Sequence, residues 1–168
     1  MANAIERATQ EVMVAAKDAK AAFKGLTGVF MHLMEEHGKV GALIKRVLAT
    51  SDDGVRAKLY ATIRSELLAH EKGELKAVYP VLAQYSETAS IAAAHSLDAS
   101  EIEASIAELD AISIGSPTWQ ASFERLARLV EQHVDREESD YFPKAQKALG
   151  KERTEELLFA FDAARKTG

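Results

Sequence analysis

A short pattern of His, Glu and Pro occurs twice in this 168-residue chain and limits how it can fold. Residues 67–82 read LLAHEKGELKAVYPVL, and residues 130–145 read VEQHVDREESDYFPKA. In each copy a Glu follows the His by four positions and a Pro follows it by ten. The matched residues are His70, Glu74 and Pro80 in the first copy and His133, Glu137 and Pro143 in the second.

A His and a Glu at this spacing lie on the same face of an α-helix, one turn apart. Two such faces turned towards each other would bring two imidazoles and two carboxylates into one small volume. These donors suit first-row transition metals, and bridging carboxylates with His from four helices resemble the two-metal sites of bundle cores. The pattern therefore predicts a metal site, for two metals. The alternative is a structural bundle in which buried His–Glu pairs satisfy each other without a metal.

Composition narrows the class of protein. Hydrophobic residues make up 47% of the chain and charged residues 28%, which is typical of one globular domain. The net charge of −5 and the lack of a basic block argue against a nucleic-acid partner. The chain has no cysteine, which excludes disulfides, thiolate ligands and iron–sulfur clusters and fits a reducing compartment.

The N-terminal sequence MANAIERATQEV is polar and mixed in charge, unlike a signal peptide. No apolar run approaches the roughly 18–20 residues that a membrane span needs. We therefore expect no membrane partner and a cytoplasmic location.

The periodicity is helical throughout, with no sustained strand alternation. It predicts helices over 4–24, 29–49, 55–85, 87–111, 118–148 and 151–166, with Pro80 kinking or ending the third. Ser116 and Pro117 are expected to cap the fifth helix. The fold class is all-α: a single domain, 1–168, with an up-down four-helix bundle over about 29–148, an N-terminal helical extension over 1–24 and a short C-terminal helix. The first helix carries a thin apolar stripe of Ile5, Val12, Ala15, Ala16, Ala19 and Phe23. It is expected to cover one side of the bundle or a partner subunit, or to line a tunnel.

The first helix of each half is expected to add a histidine. His37 precedes His70 by 33 residues, but the same offset from His133 falls at Ala99 or Ser100. His95 lies one turn earlier on that face. Either the second half is offset by a turn or His95 reaches the metal from another level, because the position near Ala99 where the repeat predicts a ligand has no histidine.

The combination resembles the hemerythrin-like, or HHE cation-binding, domain over roughly residues 29–145. The resemblance is carried by Glu36-His37, by His70 with Glu74 and Tyr79-Pro80, and by His133 with Glu137, Glu138 and Phe142-Pro143. It implies a four-helix bundle around two iron ions joined by an oxo or hydroxo bridge. It implies terminal ligation by His37, His70, His95 and His133 and bridging by Glu74 and Glu137.

Other polar residues near the pattern are weaker candidates. His32, Glu66 and Glu138 are further candidates to bind the metal directly or to contact the residues that bind it. His32 lies five residues before His37, so the two rings diverge by about 140° on a helix. Glu71, and Glu138 if it is not a ligand, are interpreted as solvated neighbours.

Three functions follow from these expectations. The first is a di-iron protein that binds or senses O₂, NO or iron itself. The second is a di-iron oxidase, or an enzyme that consumes peroxide or handles NO, using an open metal position. The third is the structural bundle without a metal. Whether the chain is an enzyme stays open.

Overall fold

The structure, a computed structural model, describes residues 2–166, apart from the side chains of residues 2, 3, 5 and 6. The described residues form helices and no strand. The elements are α1 (Ala2–Phe23), α2 (Gly28–Ala49), α3 (Asp53–Gly73), π1 (Glu74–Val78), α4 (Tyr79–Leu82), α5 (Ala89–Asp110), α6 (Pro117–Arg136), π2 (Glu137–Tyr141) and α7 (Phe142–Lys166). None of the described helices is long and apolar enough to cross a membrane.

Four rods make the bundle, and the prediction of an all-α fold is confirmed. The first rod is α2, the second runs from α3 through π1 to α4, the third is α5, and the fourth runs from α6 through π2 into α7. α7 changes direction at Gly150, whose φ of 77° is left-handed, so residues 151–166 form a separate terminal segment.

Side-chain caps begin two of the rods. The side chain of Asp52 accepts a hydrogen bond from the backbone N–H of Val55 at 2.8 Å and caps α3. Ser116 accepts one from the N–H of Trp119 at 3.1 Å, with Pro117 at the first helical position. The predicted cap of the fifth helix is therefore confirmed.

The apolar stripe predicted for α1 does not face the bundle. Val12 is 68% exposed and Phe23 is 92% exposed. Ala15, Ala16 and Ala19 are also exposed, whereas the side chain of Ile5 lies outside the described residues. A neighbouring face carrying Met13, Val14, Lys17 and Ala21 is turned to the bundle instead.

The neighbouring helix decides which face of α1 is used. A Cβ atom added to Gly38 of α2 would lie 3.2 Å from Val14 Cα and 3.2 Å from the carbonyl oxygen of Met13. The small residue therefore lets the two backbones approach closely. This rotation also turns Lys17 and Lys20 towards Glu138 of π2.

Each copy of the His–Glu–Pro pattern contains a π turn, where the sequence predicted a kink or an end. The residue before each Pro donates its N–H to the carbonyl five residues back: Tyr79 to Glu74, and Phe142 to Glu137. Proline has no N–H and clashes with an α-helical carbonyl four residues earlier. The wider turn accommodates it, and helical structure resumes immediately.

The polar site lies between two apolar cores. One core, which includes Phe30, Val78 and Phe161, packs beside the π turns. The other, which includes Ile63, Trp119 and Phe123, fills the opposite part of the bundle. Along each rod the site residues fall between members of the two cores, so the fold places them in one buried layer.

Candidate metal centre

The six residues expected to ligate metal lie in two adjacent groups within this layer. One group consists of Glu71, Glu74, His95 and His133, and the other of His37, His70 and Glu137. Within each group the potential donor atoms all lie within 4.8 Å of one another, and every member is buried. The fold therefore brings together all six predicted residues and adds Glu71.

The histidines of the two groups are arranged alike. The ring centroids of His37 and His70 are 5.1 Å apart with an interplanar angle of 51°. The corresponding values for His95 and His133 are 5.1 Å and 50°. His95 therefore takes the place in the second half that His37 takes in the first. This agrees with a one-turn offset between the halves.

Glu74 and Glu137 each reach histidines of both groups. Glu74 Oε2 lies 2.9 Å from His95 Nε2 and 3.3 Å from His70 Nε2. The Oε2 atom of Glu137 lies 3.1 Å from His37 Nε2, and its Oε1 atom lies 3.3 Å from His95 Nε2. A carboxylate that spans two donor groups in this way can bridge two cations.

The prediction that Glu71 is solvated is wrong. Its side chain is buried, with Oε1 3.3 Å from His133 Nε2 and Oε2 3.6 Å from His95 Nε2. His70 and Glu71 are consecutive, so their side chains diverge by about 100° around the helix, and each faces a different group. Glu71 thus supplies a donor at the end of the site where the sequence predicted a gap near Ala99.

Glu138 is also buried, and its expected solvation is wrong. Its Oε1 lies 3.0 Å from His37 Nδ1, while Lys17 and Lys20 contact the carboxylate from α1. Lys24 donates to the backbone carbonyl of Glu138 at 2.7 Å. That carbonyl lacks an α-helical partner because Phe142 donates to Glu137 instead. Glu138 therefore orients the ring of His37 through Nδ1, the nitrogen that faces away from the layer.

A second carboxylate, Glu36, backs His70. Glu36 Oε2 lies 2.9 Å from His70 Nδ1, and its other oxygen contacts Arg165 from the C-terminal segment.

The candidates His32 and Glu66 lie outside both donor groups. His32 Nε2 is 3.1 Å from Glu36, and Glu66 accepts a hydrogen bond from Arg165 at 3.0 Å. Both therefore belong to the surroundings of Glu36.

Two aromatic residues continue the symmetry of the pattern. The ring of Tyr79 stacks on His95 with centroids 3.5 Å apart, and the ring of Phe142 stacks on His37 at 5.7 Å. Both residues immediately precede the prolines of the pattern. Only the tyrosine has a polar group, which donates a hydrogen bond to Glu137 Oε1 at 2.7 Å.

The buried charges shift the protonation of the carboxylates in opposite directions. Burial and the charge of Glu137 raise the pKa of Glu74 well above its ordinary value. Although burial opposes it, the nearby imidazoles of His133 and His37 hold the pKa of Glu137 well below its ordinary value. The pKa values of these two neighbouring carboxyls are therefore shifted in opposite directions.

The histidines respond to the same carboxylates. Burial lowers the pKa of His70. The pKa of His133 is raised to about 9, because Glu137 and Glu71 outweigh the opposing effect of burial. Metal cations in this layer would replace such protons, so metal binding should release protons to solvent.

The donor set fits metal cations. Several buried atoms that face the layer make no well-formed hydrogen bond among the described residues, although some lie close to an imidazole or a carboxylate. Buried polar groups are rarely left in this state. They include Nε2 of His37, His70 and His133, both carboxylate oxygens of Glu71, and one oxygen each of Glu74 and Glu137. Imidazole nitrogens and carboxylate oxygens are typical ligands of first-row transition metals.

The two groups differ in the number of donors. Counting the shared carboxylates, His95 and His133 have three carboxylate neighbours, because Glu71 joins Glu74 and Glu137. His37 and His70 have only the two shared carboxylates in the layer. A cavity of about 610 Å³, lined in part by His37, His70, Glu71 and His133, opens from the layer between α1, α2, α3 and α6.

Comparison with known proteins agrees with this geometry. Residues 6–145 match the family described as Hemerythrin HHE cation binding domain, so the match extends into α1 beyond the expected limit of residue 29. A protein named DNA nickase from Nostoc sp. (strain PCC 7120) is 26% identical over 171 residues, which cover 94% of this chain and 48% of that protein. The chain therefore spans about half the length of that relative. No solved structure matches the chain. Since the family match covers most of the sequence and both copies of its repeated pattern, the chain belongs to the hemerythrin HHE cation-binding domain family.

Proposed function

We propose that this chain holds two iron ions and binds a small ligand, O₂ or NO, at the end of the centre formed by His37 and His70. The ions would be held by the four buried histidines and by Glu71, with Glu74 and Glu137 shared between them. Two bound iron ions can supply electrons and open coordination positions to a diatomic molecule. The chain supplies the donors, excludes bulk water and sets the local charge.

The observation that carries this proposal is the unequal number of donors. Five residues surround one end of the layer and four surround the other, counting the shared carboxylates at each end. The cavity borders both ends, through His37 and His70 at one and through Glu71 and His133 at the other. A small ligand that enters the cavity would therefore reach both metals, and the metal at the His37 end would have the more open coordination.

Loading the protein with ferrous iron without oxygen, followed by air, tests this function. We expect about two iron ions per chain and a charge-transfer band that disappears under vacuum. Iron should also raise the thermal stability of the chain, because it binds the folded state alone. A protein that takes up no metal would support the structural bundle instead.

The cavity gives a specific reason to keep an enzyme as the second candidate. Oxidation of a substrate or consumption of peroxide requires access to an open metal position, and the cavity provides space beside His37 and His70. In that case the band would decay irreversibly on admission of air, with formation of an oxidised product or loss of added peroxide. A reversible band without turnover would exclude this second function.

The name of the Nostoc relative does not lead us to propose DNA cleavage. The histidines of the centre are at most 6% exposed, and the chain has a net charge of −5. A DNA backbone could not reach these side chains, and a duplex would be repelled by the net charge.

The absence of cysteine is consistent with function in a reducing compartment, and we place this chain in the cytoplasm.

A further inference from the structure

The cavity is much larger than the proposed diatomic ligand requires. Its volume is about 610 Å³, whereas one water molecule occupies roughly 30 Å³ in the liquid. Pockets that bind organic cofactors and substrates typically have volumes of about 300–1,000 Å³. The size therefore fits an organic molecule, and a passage for gas alone would not need it.

The walls of the cavity are mainly aliphatic. They are formed by side chains of α1, α2, α3 and α6, and the principal aliphatic residues are Val40, Ile44, Leu67, Val130 and Val134. Leu48 extends the same surface to the outside and is 48% exposed. An elongated apolar body could therefore lie along the walls with its far end at Leu48.

The inner end of the cavity has a different chemistry. It is lined by His37, His70, Glu71 and His133, which are buried members of the candidate metal centre. With cations bound there, this end would attract an anionic oxygen donor. Without them, the buried carboxylates would repel an anion. The mouth carries both signs of charge, from Lys45 and Arg128 and from Glu124 and Glu131, so it has no clear preference for an anion.

We propose that this cavity binds an elongated aliphatic carboxylate, with its head at the metal centre and its apolar chain along Val40, Ile44 and Val130 towards Leu48. The inference rests on the proposed function for the charge of the inner end. It goes beyond that function because it assigns an organic ligand to the chain.

Calorimetric titration with decanoate tests the site in metal-loaded and metal-free protein. Zinc-loaded protein is used alongside ferrous protein kept without oxygen, so that binding is measured without turnover. We expect one decanoate per metal-loaded chain and much weaker binding without metal. Acetate, which has the head but not the chain, should bind much more weakly than decanoate.

Two substitutions on α6 make a matched pair. Ala127→Phe places a ring in the wall of the cavity, whereas Ala121→Phe places the same ring on the exposed side of the helix. We expect Ala127→Phe to weaken decanoate binding roughly ten-fold or more, equivalent to about 1.4 kcal/mol, with unchanged metal content. Ala121→Phe should bind like the wild type. If Ala127→Phe does not fold, Leu48→Asp at the exposed mouth should weaken decanoate binding without changing acetate binding.

The outcomes separate this inference from the proposed function. The carboxylate site alone would be overturned if metal-loaded protein did not bind decanoate. The same holds if the Ala127→Phe variant folded and bound decanoate as tightly as the wild type. Protein that takes up no metal would overturn the proposed function and also the assignment of the carboxylate head. Equal binding with and without metal would overturn the orientation, because the head would then not face the cations.

Discussion

The two ends of the candidate metal centre have the same arrangement of rings but different supports. The pair His37 and His70 and the pair His95 and His133 have equal centroid distances of 5.1 Å. Behind the first pair lie two buried carboxylates, Glu138 and Glu36, which contact the outward-facing Nδ1 atoms. Behind the second pair, Asp98 is 3.8 Å from His133, and His95 Nδ1 has no partner among the described residues.

The difference follows from which parts of the chain surround each end. α1 and the terminal segment of α7 cover the His37 end, where Lys17, Lys20 and Arg165 contact the supporting carboxylates. The His95 end lacks these cations and instead has Glu71 beside its histidines. An internal repeat can therefore preserve the positions of the rings, while differing residues within the two copies and contacts from elements outside them make the two ends chemically unequal.

Removing a shared carboxylate should have the largest effect on both ends. We expect Glu137→Ala to lose at least one metal ion per chain, because Glu137 approaches His37 at one end and His95 and His133 at the other. His32→Ala should retain the full metal content, since His32 lies outside both groups. Elemental analysis of the two variants, loaded with iron in parallel, compares their metal content. Equal metal content in the two variants would contradict the assignment.

Acid should weaken the His37 end of the metal-free protein through Glu138. Although burial raises it, His37 and Lys17 bring the pKa of Glu138 down to about 2, from an ordinary value of 4.5. Because this pKa is lower in the folded state, the stabilisation is present above pH 4.5 and is lost as the pH falls towards 2. At 1.36 kcal/mol per pH unit, it amounts to about 3 kcal/mol.

Urea unfolding at neutral and acidic pH measures this contribution. Glu138→Gln should be less stable than the wild type at pH 7 and should lose less stability on acidification. The matching position in the other copy is Leu75, so Leu75→Gln should keep the acid sensitivity of the wild type. An unchanged pH dependence in Glu138→Gln would show that the carboxylate does not stabilise this end.

The carboxylates behind the histidines should differ in their effect on metal affinity. Glu36 contacts His70 Nδ1 at 2.9 Å and is buried, so Glu36→Gln should weaken metal binding by about 10–100-fold. Asp98 is 3.8 Å from His133 Nδ1 and already accepts a hydrogen bond from Arg136 at 3.0 Å. We expect a smaller change for Asp98→Asn. Competition with a chelator measures the metal affinity of both variants. Equal losses of affinity would contradict the inference that Glu36 supports its histidine more strongly than Asp98 does.

The smallest expected effect concerns the aromatic residues. Tyr79→Phe keeps a ring against His95, as Phe142 provides against His37, but removes the hydrogen bond to Glu137. Loss of a hydrogen bond to an ionised group should reduce the free energy of unfolding by about 1.5 kcal/mol, with metal content unchanged. Tyr85→Phe, outside the centre, is the control. Equal stability of Tyr79→Phe and the wild type would mean that the hydroxyl makes no net contribution.

The residues at regular helical spacing could be predicted because their geometry is local. His70 with Glu74, and His133 with Glu137, share a helix face whatever surrounds them. The cap at Ser116 was predictable for the same reason. Glu71 could not be found in this way: it lies next to His70, on a different part of the helix surface, and the matching position in the second copy is Val134. No spacing rule indicates that one rod will face both donor groups.

The packing face of α1 and the two π turns also depended on more than periodicity. α1 has apolar or small residues on more than one face, and the close approach at Gly38 favoured the face with Met13 and Val14. The prolines did signal an interruption, but an isolated helix can kink, end or widen at such a residue. Continued packing of the rod on both sides of each turn selected the widened form.

By itself, the repeated sequence determined an all-α bundle with imidazole and carboxylate on facing helices, because helical spacing converts positions four apart into neighbours. The tertiary structure decided which further charges surround that layer: Glu71 at one end, and Glu138 with the lysines of α1 at the other. It also decided where the cavity opens. These features depend on how rods distant in sequence rotate and approach one another, and hydrophobic periodicity along one helix does not specify that rotation.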